Sequence, residues 1–175
     1  MKKLLYSIVI LIVLTALVTT PVLASYTISP RMLAGQTMFA GVVKTTGYND
    51  YLHLEIQLRG GAGWCMTDSQ VHVGLSLAEF PQNSGGAIPG QFDYKQSYGS
   101  CITTATYNIP IDGKGWFGQW IYIAVHAVVN GPNGIVGETA WTVNCGNLEG
   151  GQFPGSNWSA YYRLPANAWY DLPLP

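Results

Sequence analysis

The sequence predicts an all-β protein: a single antiparallel β-sandwich, of immunoglobulin-like or jelly-roll type, that follows an N-terminal signal peptide. Short apolar runs alternate with polar residues at a period of two, and the gaps between them are dense in Gly, Pro and Asn. No stretch after the leader sustains a helical apolar period. Seven or so short strands with such turns are typical of a sandwich. We divide the chain into a signal peptide (1–24), the sandwich domain (25–165) and a Pro-rich C-terminal tail (166–175).

The N-terminus has the three parts of a secretory signal. Lys2 and Lys3 precede the apolar stretch LLYSIVILIVLTALV, and TTPVLAS follows it. Val22 and Ala24 supply the small residues that signal peptidase requires, so we predict cleavage after Ala24 and a secreted, extracellular product. An uncleaved anchor is the alternative, because the apolar stretch approaches the ~17 to 25 residues that span a bilayer. Because we favour cleavage, we expect membrane contact only during export.

The charge of the mature chain disfavours nucleic acid as a partner. The chain has eight basic and nine acidic residues, and the leader removes two of the basic ones, so six remain against nine and the formal charge is −3. Only 10% of the residues are charged, while Gly and aromatic residues are plentiful, which is unlike the composition of disordered chains. A mature length of about 150 residues suits one domain with its own core.

Seven strands are predicted, and the clearest is YLHLEIQLR (51–59). There Leu52, Leu54, Ile56 and Leu58 alternate with polar residues, so His53 points to solvent. The run WIYIAVHAVV (120–129) is apolar on both faces and predicts a central strand. The other predicted strands are MFAGVVKT (38–45), MTDSQVHVGLS (66–76), ITTATYNI (102–109), IVGETAWTV (135–143) and NWSAYYRL (157–164).

Three cysteines follow the leader, and an exported chain meets an oxidising compartment. Of the three pairings that can be drawn, we favour Cys65 with Cys101, because each lies at the start of a predicted strand and a loop-rich segment separates them. Cys145 is then left over. It is either buried and inert or available to another chain.

Four polar residues lie among apolar ones and form a candidate cluster: Asp68, His72, His126 and Glu138. Asp68 and His72 share one face of their predicted strand, and we expect His126 and Glu138 on neighbouring strands to converge with them. One interpretation is a divalent metal site, for which two imidazoles and a carboxylate are adequate. The other is a structural hydrogen-bonded network, which we favour because no HExxH, HxH or CxxC motif is present. No cofactor is predicted otherwise.

The sequence predicts no catalytic residues. Ser76 in GLSLA lacks the G-x-S-x-G elbow, and Ser100 and Ser159 have no base nearby in the sequence. Since no motif combines a nucleophile, a base and a group that orients the base, we expect a non-enzymatic role.

Aromatic residues suggest a second kind of site. We expect Trp64, Trp120, Trp141 and Trp158 to fill the core, and Trp116, Trp169 and Tyr98 to remain as surface rings that can stack on sugars. The sequon NWS makes Asn157 a candidate for N-glycosylation if the source organism glycosylates exported proteins.

Several segments together carry a family resemblance. They are GWCMTDSQVHVG, IPGQFDYK, YIAVHAVV, GETAW and FPGSNWSAYY. As a set they resemble exported bacterial and archaeal β-domain proteins of unknown function, over about residues 33 to 162. The resemblance implies an extracellular β-domain and brings no catalytic residues.

These observations rank three functions. The first is a secreted or cell-surface interaction or structural module, which self-associates by strand addition or binds a cell-surface or glycan partner. The second is a carbohydrate-binding module that uses exposed Trp and Tyr. The third is a metal-dependent site at His72, His126 and Glu138.

Overall fold

A computed structural model describes residues 27–48, 50–143 and 148–166. The predicted signal peptide and its cleavage site, Cys145, Trp169 and the tail from residue 167 onwards lie outside the described residues. In the part of the chain that is described, no helix is long and apolar enough to cross a membrane.

The described residues are almost entirely strands and turns. The strands are β1 (Thr27–Ile28), β2 (Arg31–Ala34), β3 (Met38–Gly47), β4 (Tyr51–Leu58), β5 (Cys65–Gly74), β6 (Gln82–Asn83), β7 (Gly86–Ala87), β8 (Tyr94–Ile102), β9 (Thr104–Pro110), β10 (Trp120–Gly131), β11 (Ile135–Val143), β12 (Glu149–Gln152) and β13 (Ala160–Pro165). Short 3-10 turns occur at Gly60–Ala62, Leu77–Glu79, Pro89–Gln91 and Pro132–Gly134.

Eleven of these strands form one antiparallel sheet that curves into a nearly closed, barrel-like form. Its path runs β9-β4-β3-β2-β11-β10-β5-β8, while β1 adds to β3, and β13 with β12 adds to β10. The separate pair β6-β7 lies outside this sheet. The predicted antiparallel all-β class is confirmed. The predicted sandwich of two face-to-face sheets is not confirmed. A single curved sheet surrounds the main core instead.

The main core lies inside the curved sheet. Strand β4 shows the predicted alternation, with every second residue buried. His53 lies on the opposite face, where its Nδ1 is 2.6 Å from Oδ1 of Asn108. The largest fully buried interior side chains include Met32, Leu52, Leu54, Ile56, Met66, Ile109, Ile121, Ile123, Tyr162 and Leu164.

A second apolar cluster covers the outside of the sheet at β5, β10 and β11. It forms where an outer segment, residues 75–93, and an outer loop, residues 153–159, pack on the sheet. Its buried members are Phe80, Ala87, Phe92, Ala124, Trp141, Phe153 and Ala160. Strand β10 is thus buried on both faces, with Val125 inside and Ala124 outside, and the prediction of a central strand is confirmed.

The outer segment and the outer loop are joined through Ser159, which is fully buried. Its hydroxyl accepts a hydrogen bond from the Ala87 N–H at 3.1 Å and donates one to Oδ1 of Asn157 at 2.6 Å. The Asn157 N–H donates in turn to the carbonyl of Gly85 at 2.8 Å. These bonds satisfy buried polar groups and fix the loop over the sheet.

Along one of its edges, β10 pairs first with β13 and then with β11. Residues Trp120–Ile123 pair with β13, whereas the half that begins at His126 pairs with β11. Thr142 lies where the partner changes, and its hydroxyl accepts from the Val125 N–H at 3.3 Å and lies 3.4 Å from the Val125 carbonyl. A side chain therefore replaces the missing backbone partner of a buried strand.

The predicted disulfide is confirmed. Cys65 in β5 and Cys101 in β8 are bonded, with their Cα atoms 5.4 Å apart. The sequence had indicated that Cys101 lies at the start of a strand. In the structure it lies near the end of β8. The sequence shows no apolar run for β8, because its polar and small residues are mostly exposed.

Candidate functional site

The outer face of the sheet brings Gln70, His126 and Trp141 side by side. His126 lies directly opposite Gln70 of β5 and opposite Trp141 of β11. Its Nδ1 is 2.5 Å from Oε1 of Gln70, and its ring centroid is 4.8 Å from that of Trp141. Adjacent strands in register therefore hold the imidazole between an amide and an indole.

The imidazole of His126 is neutral at neutral pH. Burial lowers the pKa of His126 to about 4, and the nearby carboxylate of Asp68 opposes this shift. Because Oε1 of Gln70 is an acceptor, Nδ1 carries the proton and the lone pair is on Nε2. His126 is thus a hydrogen-bond acceptor of fixed orientation and not a cation.

A pocket of about 370 Å³ opens beside His126. Strands β5, β10 and β11 form its floor, and the outer segment and the outer loop form its walls. Its lining residues are Gln70, Ala87, Pro89, Gly90, His126, Thr139, Trp141, Asn157 and Trp158. With His126 neutral, none of them carries a formal charge, and two indoles lie among amide and hydroxyl groups.

His72 lies on the same outer face but packs against the outer segment. Its ring packs 4.6 Å from Phe80 and 5.5 Å from Phe92, and its Nδ1 lies 3.3 Å from Oδ2 of Asp93, outside hydrogen-bond geometry. Burial lowers the pKa of His72, while Asp93 and Glu79 oppose the shift. His72 is therefore an aromatic neighbour in the second cluster.

The expected convergence of Asp68, His72, His126 and Glu138 is only partial. Asp68 and His72 share the outer face of β5 with Gln70, and Asp68 accepts a hydrogen bond of 2.6 Å from the hydroxyl of Ser97. Glu138 is opposite the interior residue Val129 in the register, and its Oε1 accepts hydrogen bonds from the Thr139 N–H at 2.9 Å and from the Thr139 hydroxyl at 3.4 Å. Among the described residues, no hydrogen bond or ion pair joins Glu138 to His72 or His126, so its membership of the cluster stays a prediction.

A metal centre at this cluster is not found among the described residues. Nowhere in residues 27–48, 50–143 and 148–166 do three His, Cys, Asp or Glu side chains lie close enough together to hold a metal ion. Each imidazole has its own neighbour instead, Gln70 for His126 and Asp93 for His72.

The burial of the tryptophan side chains differs in part from the prediction. Trp64 and Trp141 are buried as predicted, and Trp158 is half-buried. Trp120, expected in the core, is 43% exposed at the start of β10, and the guanidinium carbon of Arg163 lies 4.9 Å from the centroid of its ring. Trp116, expected at the surface, is only 6% exposed because it packs into the main core.

Tyr98 is also not a surface ring. It is half-buried against the main core, and its hydroxyl lies 2.7 Å from Oγ of Ser69. The same serine hydroxyl lies 2.6 Å from the hydroxyl of Tyr107. Burial raises the pKa of Tyr107, so its hydroxyl stays protonated within this structural network.

Asn157 belongs to the pocket wall. The residue is exposed, but its side-chain carbonyl accepts hydrogen bonds from both the N–H and the hydroxyl of Ser159. Ser159, the hydroxyl residue of the sequon, is fully buried. N-glycosylation at Asn157 stays a prediction; in the folded domain the side chain orders the outer loop.

Sequence reasoning missed most of the pocket. Gln70 shares an alternating face with Asp68 and His72, a signal that pointed to it. Thr139 and Trp158 carried no such signal, because their proximity depends on how β11 and the outer loop are arranged around β10. Comparison with family models, curated proteins and solved structures finds no match to this chain in any of the three.

Proposed function

We propose that this protein is an exported, non-enzymatic binding module that holds an uncharged saccharide in the pocket beside His126. One observation carries the proposal: the lining combines two indole rings with amide, hydroxyl and imidazole groups and has no formal charge. This pocket is the binding site that we propose for the expected interaction module. Its aromatic residues are Trp141 and Trp158, whereas the sequence had indicated others.

The chemistry of the lining matches the two sides of a sugar ring. The half-buried ring of Trp158 is apolar and suits the C–H face of a pyranose, while the buried ring of Trp141 adds apolar surface at the floor of the pocket. The amides of Gln70 and Asn157 and the hydroxyl of Thr139 can exchange hydrogen bonds with hydroxyl groups. Concave sites that combine aromatic walls with a few placed polar groups are the usual form of small-ligand sites.

The absence of charge in the lining disfavours ionic ligands. A charged ligand group in a partly buried site needs an opposite charge or several strong hydrogen bonds to offset the loss of its hydration. The nine lining residues provide no such charge, and His126 stays neutral. Neutral sugars need none.

A binding role fits this pocket better than hydrolysis. Glycoside hydrolysis uses two carboxyl groups on opposite sides of the bond that is cleaved. None of the nine lining residues that the structure describes is Asp or Glu, and the nearby carboxylate of Glu138 accepts from the Thr139 N–H at 2.9 Å. Asp68, on the same face of β5, is engaged by Ser97.

Titration with sugars tests the proposal. Tryptophan fluorescence and calorimetry should detect binding of at least one member of a panel of neutral glycosides and polysaccharides built from glucose, mannose, xylose or N-acetylglucosamine. Gln70→Ala should weaken that binding, whereas Gln57→Ala, a half-buried glutamine on the far strand β4, should leave it unchanged. A flat response across the whole panel contradicts the proposal.

Self-association is a second candidate function. In the described part of the chain, β12 ends the sheet and pairs with β13 alone, so one edge of its backbone is open to strand addition by a second copy. Sedimentation equilibrium across a wide concentration range should then show dimers or longer assemblies. A protein that stays strictly monomeric at high concentration excludes this mode.

A further inference from the structure

A second pocket, of about 300 Å³, lies next to the first, and the two share Trp158. Its lining residues are Gln36, Thr37, Val143, Gly151, Gln152, Trp158 and Ala160. The half-buried indole of Trp158 therefore contributes to both pockets.

The two pockets both border the outer face of β11 and meet at Trp158. Thr139 and Trp141 line the first pocket and Val143 lines the second, and residues at this spacing share one face of a strand. Four residue steps along a strand span about 13 Å. The β11 residues that line the two pockets extend over this length, and the turn that carries Gln36 and Thr37 lies beside Thr139, where the Gly35 N–H donates to the Thr139 carbonyl at 3.1 Å.

The second pocket repeats the chemistry of the first. It again offers amides, from Gln36 and Gln152, a hydroxyl, from Thr37, and the ring of Trp158, and none of its seven described lining residues is formally charged. A ligand that fills both pockets must present similar uncharged, hydroxyl-rich units in succession. A linear chain of sugars has this property.

Gln36 has a backbone conformation that favours glycine. Its φ is 73°, in the left-handed region, within the tight turn between β2 and β3. A non-glycine residue there is strained, and such strain is often found where a side chain has a function. The side chain at this position lines the second pocket.

From this geometry we infer that the site binds a linear, neutral oligosaccharide whose successive units occupy the two pockets on either side of Trp158. The inference rests on the proposed function and adds to it a ligand longer than one sugar unit and a second subsite. The first pocket holds one unit beside His126. The second holds the next unit against Gln36 and Gln152.

Calorimetry with matched sugars tests the second subsite. For glucose, mannose, xylose and N-acetylglucosamine, the methyl glycoside and the linear tetrasaccharide are each titrated into the protein. For the sugar that binds, the tetrasaccharide should bind about tenfold more tightly, because its second unit adds contacts at little further cost in entropy.

Variants separate the two subsites. Gln152→Ala should lower the affinity for the tetrasaccharide by about fivefold and leave that for the methyl glycoside unchanged, whereas Gln70→Ala should weaken both. Gln36→Gly should raise the melting temperature, because it relieves a left-handed φ, and still weaken tetrasaccharide binding. A residue with a merely structural role does not combine these two effects.

The outcomes distinguish the inference from the function on which it rests. Equal affinity for methyl glycoside and tetrasaccharide, unchanged by Gln152→Ala and Gln36→Gly, overturns the second subsite and leaves the proposed function intact. The absence of binding by every sugar of the panel overturns both.

Discussion

Nδ1 of His126 lies 2.5 Å from Oε1 of Gln70, across the register of β5 and β10, and this bond determines which ring nitrogen carries the proton. The imidazole also packs against Trp141 and is 6% exposed. The same residue therefore belongs to the buried structure of the sheet and to the wall of a pocket.

The buried His126 should make the stability of the domain depend on pH. Its pKa is about 4 in the folded state and near 6.5 in the unfolded state, so the unfolded chain binds more protons between these values. The stabilisation is complete above pH 6.5 and is lost as the pH falls towards 4, by up to about 3 kcal/mol. Urea unfolding at pH 7 and pH 4.5 measures this change.

Two variants attribute the effect to His126. His126→Gln should flatten the pH dependence, although His72, whose pKa is also lowered, keeps part of it. Val136→Ala, at a residue that is 80% exposed and carries no titratable group, is the control and should leave the pH dependence as in the original chain. An unchanged slope in His126→Gln argues against its neutral, buried state.

Phe92→Ala should destabilise the domain by about 3 to 5 kcal/mol, because it leaves a cavity under the outer segment. Phe92 is 1% exposed and contacts His72, Phe80 and Trp141. The matched replacement Phe117→Ala, at a residue that is 61% exposed, should cost less than about 1 kcal/mol. Chemical denaturation of both variants gives the comparison, and equal losses contradict a second core.

Gly41→Ala should be strongly destabilising, because the added Cβ would lie 2.2 Å from the carbonyl oxygen of Gln57. Strands β3 and β4 must then separate locally, at a cost of about 3 kcal/mol or more. Gly99→Ala, where no atom lies within 4 Å of the added Cβ, is the control and should change stability little. Thermal unfolding followed by circular dichroism reports the difference.

Reduction of the Cys65–Cys101 bond should lower stability by about 3 to 4 kcal/mol in the chain-entropy description, since the bond closes a loop with a sequence separation of 36. The double variant Cys65→Ser/Cys101→Ser should behave like the reduced protein, and added reductant should not weaken it further. If the reductant has the same effect on this variant as on the original chain, the loss comes from elsewhere.

Metal analysis tests the third function that the sequence suggested. Elemental analysis of protein purified without chelators or a histidine tag should find no stoichiometric divalent metal. A stoichiometric metal that is lost in both His72→Ala and His126→Ala would establish a metal site and displace the saccharide proposal.

Local patterns in the sequence predicted a large part of the fold. The alternation of β4, the two-sided apolar character of β10 and the disulfide depend on periodicity and chemistry that neighbouring residues display. The closure of the sheet could not be predicted from local patterns, because it depends on the register and tilt of strands that are distant in sequence.

The site was less predictable for a related reason. Phe80 and Phe92 lie in a run rich in Gly and Pro that indicates loops, yet this run covers the sheet and creates the second cluster. Trp116 follows a glycine-rich turn, and nothing in its local sequence shows that its ring turns inwards. Tertiary packing decides these positions, and local pattern does not record it.

The position of β10 has a consequence for the energetics of binding. Its backbone is bonded to β5 on one side and to β13 and β11 on the other, and its two faces serve the main core and the pocket. Amide protons of such a strand exchange with solvent only when the whole domain opens. A ligand held against His126 should therefore slow hydrogen exchange throughout β10, so that occupancy of the pocket protects the interior of the barrel-like sheet.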